Sequence, residues 1–244
     1  GCCFADLDLK QQGVIEDFQL LFYIIQPPTP ERVKYDIFDR VNRGGTPLNK
    51  QEMRNALYRG RCTRMLDKLC CSPEFLIATG RSINKERMKD QYVVLRAIAF
   101  LMLHRGEFKD IPALQYRGDI DDFLARFMVY VNDNAPEKLI VDYENLFIRC
   151  MQISYDLLGE NGFRFSGNGI RRPINMPLFE ALSYLFSFVP EKIDYTWASR
   201  LILDIESVKE EFDDSRYFSG NIDSTTSVSF RFDRMDKIIN RIQL

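Results

Sequence analysis

An all-α fold is predicted for this chain of 244 residues. Three observations carry that prediction. Apolar residues recur three and four positions apart over most of the length, alternating strand patterns are nearly absent, and the periodic segments open on capping residues and close on Pro or Gly. No internal repeat, heptad seam or low-complexity tract interrupts them, so 1–244 reads as a single multi-helix globular domain with two long polar loops.

Residues 14–25, "VIEDFQLLFYII", are too densely apolar for a one-faced surface helix and are expected to form a largely buried one. "QPPTP" ends it, because Pro27, Pro28 and Pro30 cannot continue a helix interior. Thr29 then suits an N-cap with Pro30 at the first helical position. The helix that follows places Val33, Ile37, Phe38 and Val41 on one face and ends at Gly44–Gly45. A further helix is expected from this turn to about Cys71, with Met53, Ala56, Leu57 and Gly60 sharing a face where Gly60 permits close approach of a neighbour. The remaining helices are predicted over 84–105, 119–132, 136–158, 176–189, 194–212 and 231–243, and the two loops over 160–177 and 213–229. Unstructured connections of that length inside a compact domain are functional or disordered, and Phe163, Phe165, Tyr217 and Phe218 argue against pure disorder here.

The turn "FDRVNRGGTPLNKQEMRN", residues 38–55, carries more than a turn requires. Asn49 and Glu52 have the spacing of a capping box, and Thr46–Pro47 offers a second helix start. Gly44 and Gly45 can adopt positive φ, aligning successive N–H groups into an anion-binding concavity beside the amides of the next helix. Arg40, Arg43 and Arg54 are within reach of such a site, and the guanidinium fork matches phosphate geometry. The anion-binding set is therefore Arg40, Asn42, Arg43, Gly44, Gly45, Thr46, Asn49, Glu52 and Arg54. A capped helical hairpin with surface arginines accounts for the same residues without any ligand. No G-K-[ST] follows the glycines, so this is not a Walker loop.

Further arginines stand at other loop-to-helix junctions: Arg171 and Arg172 with Asn175 before one helix, and Arg231 and Arg234 at the start of the last; each alone suits a solvated loop or cap, and together they make a secondary anion-binding set. Arg96 is the one charge within 92–103 and has to find a carboxylate partner, reach outward to water or face a functional cleft; an ion pair is the leading reading, with Glu52 and Glu180 both available. The sole histidine, His104, falls at a helix C-terminus, which favours its charged form.

Much chemistry is unrepresented. One histidine argues against HNH-type nucleases, zinc hydrolases and His-assisted nucleophiles. Six cysteines include two vicinal pairs and no C-x-x-C, consistent with reduced thiols rather than a zinc site. The carboxylates of "GDIDD", residues 118–122, suit Mg²⁺ but equally suit helix capping. No catalytic constellation can be named, and no metal or cofactor site is assigned to this chain. A net charge of −2 does not mark a general nucleic-acid binder. The opening "GCCFADLDLK" has neither initiator Met nor signal-peptide character, and the apolar run 92–103 is short of the roughly 20 residues a membrane span needs. A cytoplasmic protein without a membrane partner is expected, and its opening reads as the interior of a longer chain.

The stretch "YDIFDRVNRGGTPLNKQEMRNALYRG" resembles a hallmark of the domain family typified by the N-terminal half of the GmrSD restriction enzyme. The family pattern, Phe-x-Arg-(Leu/Ile/Val)-Asn-x-Gly-Gly-x-Pro-Leu-(Asn/Ser)-x-Gln-Glu-(Leu/Ile/Met)-Arg, is met by Phe38, Arg40, Asn42, Gly44, Gly45, Pro47, Leu48, Asn49, Gln51, Glu52 and Arg54. "FADLDLKQQ", "RMKDQYVVLRAIAF", "NMPLFEAL" and the Ser/Thr-rich tail extend the likeness along the chain. The resemblance implies a ParB/sulfiredoxin-related protein in which an Asp-Gly-Gln-Gln-Arg signature serves nucleotide hydrolysis. That signature is absent here, since Lys10-Gln11-Gln12-Gly13 does not match it, and so are the histidines of an appended HNH module. What the resemblance implies is thus the helical portion of a prokaryotic defence protein that restricts modified phage DNA in a nucleotide-dependent way. NTP and Mg²⁺ would belong to the full-length protein, and a ParB-like N-terminal domain and DNA would be the partners. The alternative is a non-enzymatic helical module that binds DNA backbone or a partner protein.

Overall fold

The computed structural model describes residues 3–22, 24, 26, 29, 31–42, 47–166, 171–190, 192, 194–218 and 220–242. The fold is all-α: among the described residues there are helices and no strands. The chain divides into two compact units, Gly1–Thr46 and Pro47–Leu244.

The first unit contains α1 (Leu9–Glu16) and α2 (Glu31–Asn42). Asp8 caps α1, accepting from the Gln11 amide at 2.8 Å while the Gln11 side chain accepts from the Asp8 amide. The buried helix expected over 14–25 is not formed. Helix α1 stops at Glu16, residues 18–22 have no regular structure, and Val14, Phe18, Leu20, Leu21, Phe22 and Ile24 are all exposed. The run is apolar on every side and so names no buried face, and a unit of this length has little core of its own to receive it. Thr29 Oγ1 donates to the Gln26 carbonyl at 2.6 Å just ahead of α2, while Pro27, Pro28 and Pro30 lie outside the described residues.

The second unit comprises α3 (Lys50–Leu57), α4 (Arg61–Cys70), α5 (Pro73–Ala78), α6 (Lys89–His104), α7 (Ile120–Asp133), α8 (Glu137–Leu158), α9 (Met176–Phe186), α10 (Tyr195–Asp213) and α11 (Thr225–Ile242). Helices α6 and α9 form its centre. Val93 to Met102 and Pro177 to Phe186 are buried without a break, the pattern of helices covered on all sides. Around them α9 packs on α8 and α11, α6 on α4 and α7, and α5 on α8.

The single helix expected from the turn to Cys71 is two helices, broken at Tyr58–Gly60. Asn132 of α7 holds the break: its Nδ2 donates to the Tyr58 carbonyl at 2.9 Å, and its Oδ1 accepts from the Cys62 amide at 2.9 Å. Gly60 does allow a close approach, but of this amide rather than a helix backbone. Its backbone is extended (φ 176°), so the constraint is space, and a Cβ there would meet Asn132 Oδ1 at 2.5 Å. The amide is bonded at both ends and cannot yield without losing a bond. Gly60→Ala is therefore expected to cost about 1–3 kcal/mol, in the range of other overpacking substitutions. Urea denaturation measures it, and a loss under about 0.5 kcal/mol, the level of ordinary surface changes, would contradict this role for Asn132.

Other boundaries move for local reasons. Helix α6 begins at Lys89 rather than 84 because Arg87 and Met88 are left-handed, with φ of 56° and 58°. Helix α11 begins at Thr225 rather than 231, and Ser224 Oγ accepts from the Ser227 amide, so part of the expected loop 213–229 is helix. In the loop 160–177, Phe163, Arg164 and Phe165 are buried, and Arg164 donates to the carbonyls of Glu160, Arg172 and Thr79.

His104 stands at the end of α6 as expected, but it is not charged. It stacks on Phe232 with ring centres 3.6 Å apart, and its Nε2 is buried without a hydrogen-bond partner among the described residues. Burial, with Arg231 nearby, lowers its pKa to about 3, outweighing the pull of the helix terminus. Among the described residues the cysteines Cys3, Cys62, Cys70, Cys71 and Cys150 are free, and burial raises the thiols of Cys62, Cys70 and Cys150. No described helix is long and apolar enough to cross a membrane.

Candidate anion-binding site

The capping box forms as its spacing predicts. Asn49 Oδ1 accepts from the amides of Gln51 at 2.8 Å and Glu52 at 2.9 Å, and the Asn49 amide donates to Glu52 Oε2 at 2.6 Å. This closure uses up the donors that an anion at the start of α3 would need. Asn49 Nδ2 also donates to the Arg87 carbonyl at 2.7 Å, and Arg87 Nη2 donates to Glu52 at 3.0 Å and to the Pro47 carbonyl at 2.6 Å. The Arg87 guanidinium and the Asn49 amide hold the Glu52 carboxyl below the usual carboxylate range. Two successive left-handed non-glycine residues cost roughly 1–3 kcal/mol each, and these contacts hold them in place.

Arg54, one turn on, is in a different state. It is only 1% exposed. Nε donates to Gln51 Oε1 at 3.0 Å and Nη1 to Asp121 Oδ1 at 2.8 Å, while Nη2 is buried and has no hydrogen-bond partner among the described residues. Its guanidinium lies 5.3 Å from the centre of the Tyr92 ring, which supplies a π face but no acceptor. Asp121 is shared with Lys50; burial opposes its charge, but the hydrogen bonds from Lys50 and Arg54 outweigh that and hold its carboxyl low.

Arg54 helps to line a cleft of about 500 Å³ between the starts of α3 and α6. Lys50, Arg87, Lys89 and Tyr92 line it as well, and among the described residues Glu86 is the one carboxylate in its lining. Sequence reasoning reached Arg54 and the capping pair but missed Arg87, Lys89 and Tyr92. The available signal was the cation density of 81–89, with Arg81, Lys85, Arg87 and Lys89, which a helix assignment over 84–105 concealed.

Of the other predicted residues, Arg40 is exposed on the last turn of α2 in the first unit, and Asn42 ends that helix. Arg43, Gly44, Gly45 and Thr46 lie outside the described residues. The secondary set is not gathered into one place. Arg171 pairs with Glu160 at 2.7 Å, Arg172 with Asp213, and Arg234 with Glu211, while Asn175 caps α9 by accepting from the Leu178 amide. The "GDIDD" carboxylates are likewise engaged: Asp119 caps α7, Asp121 pairs with Lys50 and Arg54, and Asp122 pairs with Arg126. No group of three or more metal-ligating side chains occurs among the described residues.

Arg231 is instead part of a charged cluster in the core. Arg96 Nε donates to Glu180 Oε1, and Arg231 Nη2 donates to Glu180 Oε2 at 2.7 Å, so one buried carboxylate bridges two buried guanidinium groups. Arg96 Nη2 also donates to Asp223 Oδ1 at 2.6 Å, and its Nη1 to the Tyr92 hydroxyl at 3.0 Å. Desolvation opposes the charge on Arg96, and Glu180 and Asp223 more than restore it. Tyr92 thus stands between the cleft and the core cluster.

No protein-family model, curated protein or solved structure matches the chain.

Proposed function

We propose that this chain is the phosphate-recognising helical portion of a prokaryotic defence protein that acts on phage DNA in a nucleotide-dependent way. The observation that carries the phosphate part is Arg54: a buried guanidinium with a nitrogen unpartnered among the described residues, in the wall of a cleft that Lys50, Arg87 and Lys89 also line. The motif from Phe38 to Arg54 and its resemblance to the GmrSD-type domain support the defence part. In this reading the chain contributes binding and positioning, and hydrolysis belongs to a ParB-like partner domain that carries the Asp-Gly-Gln-Gln-Arg signature.

The test is phage challenge of cells that express the full-length protein. Wild type is expected to reduce plating efficiency, and Arg54→Gln to restore it to the level of cells without the protein. Circular dichroism of the purified variant checks that it folds, since Asp121 keeps Lys50 as a partner. Equal plating with wild type and with no protein, across phages with modified and unmodified DNA, would overturn the defence reading.

A further inference from the structure

We propose that the cleft between α3 and α6 binds a single terminal phosphate monoester on a small molecule, with Arg54 and Lys89 as its cationic ligands, and does not take the sugar–phosphate backbone of nucleic acid. This rests on the reading that the site accepts phosphate, and it narrows the ligand class.

The first support is preorganisation. Gln51 fixes Arg54 Nε, and Gln51 is itself held through its Nε2 on Asn55 Oδ1 at 2.8 Å. Asp121 fixes Nη1, and the Tyr92 ring lies against the guanidinium. Nη2 is therefore held in position with its donors unused. A buried charged donor without an acceptor is costly, so an acceptor entering the cleft gains the full value of a charge-assisted bond.

Charge then limits what enters. Lys50 and Arg54 share Asp121, and Arg87 is paired with Glu52. Lys89 is exposed and makes no ion pair among the described residues, and Glu86 at the rim accepts from Asn84 Nδ2 at 2.9 Å. The positive charge left after pairing is small. It suits one phosphate group and is too little for a polyanion, whose binding draws on many cations at once.

Shape separates the two remaining sources of phosphate. Nη2 is closed off from water in this structure, so a ligand reaches it only as the side chains over it shift, and it has to present oxygens at a tip. A terminal monoester offers three on one side, whereas a backbone phosphodiester is flanked by sugars and its neighbours hold it at the surface. A cleft of about 500 Å³ is within the usual range for small-molecule sites, so a nucleoside monophosphate is of suitable size.

The experiment is calorimetric titration of the full chain with inorganic phosphate, AMP, adenosine and a duplex with 5′-hydroxyl ends. Phosphate and AMP are expected to bind, and adenosine and the duplex are not. Lys89→Gln should weaken AMP about tenfold, the scale of one charge-assisted bond, without moving the melting temperature. Arg54→Lys retains the charge but lacks the second nitrogen, and should abolish binding. If the duplex binds as tightly as AMP and the same substitutions weaken it, phosphate recognition stands and the monoester proposal fails. If AMP binds but neither substitution weakens it, the site is elsewhere and the proposal also fails. If neither phosphate, AMP nor the duplex binds wild type even at low ionic strength, the phosphate reading falls and the proposal with it.

Discussion

Glu180→Leu is expected to lower the free energy of unfolding by roughly 3–5 kcal/mol, the cost of removing one partner from a buried ion pair. Glu180 is fully buried on α9, and its two oxygens accept from Arg96 of α6 and Arg231 of α11, which are 1% and 0% exposed. Without it, both guanidinium groups remain in the core. Arg231 would keep only the Ile222 carbonyl, and Arg96 would keep Asp223 and the Tyr92 hydroxyl. For a unit of this size the loss corresponds to a fall in melting temperature on the order of 10 °C. The penalty comes from the stranded charges, and the intact cluster is not thereby shown to stabilise. The combined replacement Arg96→Met, Glu180→Leu, Arg231→Met should accordingly be far less damaging than Glu180→Leu alone. Asp223 is the residue left over, and at 25% exposure its carboxylate can be hydrated. Guanidinium denaturation of the two variants checks this. A triple variant less stable than the single one would show that the cluster contributes net stability rather than avoiding a penalty.

The same cluster marks where sequence alone stops. That Arg96 needed a partner followed from an isolated charge in an apolar helix. That the partner is Glu180 and not Glu52 follows from α6 lying against α9, a long-range fact that no local spacing encodes. Glu52 was instead predictable as a cap, because the capping box is a contact three residues long. Helices α7, α8 and α10 were legible for the same reason: each has a one-sided apolar period, and α7 and α10 open on the Asp caps Asp119 and Asp194. The break at Tyr58–Gly60 was not legible, because it depends on Asn132, more than seventy residues away. Of the anion site, the sequence indicated Arg54 and the capping pair of Asn49 and Glu52, but could not show that Arg54 is buried. Nor could it show that a left-handed pair at Arg87–Met88 brings a second cationic wall to the cleft.

The acid limb of stability should carry the signature of His104. In the folded protein burial and the nearby Arg231 hold its pKa near 3, against an ordinary value of 6.5. The folded state thus keeps the imidazole neutral at pH values where the unfolded chain takes up a proton. Above about pH 6.5 neither state is protonated and His104 has no effect on the pH dependence. Below it, the unfolded state binds one more proton, so stability falls as pH falls, by at most about 1.4 kcal/mol per unit, until the folded pKa is reached. The carboxyls of Glu52 and Asp121, held low in the folded state, contribute a loss of the same sign. Theirs begins only near the ordinary carboxylate pKa of about 4, so the interval between about pH 6.5 and 5 isolates the histidine. His104→Phe preserves the stack on Phe232 and should flatten that interval, so that wild type and variant diverge progressively below neutrality and run parallel above it. Because the chain has one histidine, its imidazole proton resonance is assignable without mutagenesis. It should not titrate between about pH 8 and 5 in the folded protein. A resonance that titrates near 6.5, or equal slopes for the two proteins between pH 6.5 and 5, would mean that the end of α6 is open to water and that the helix terminus, not burial, sets the charge of His104.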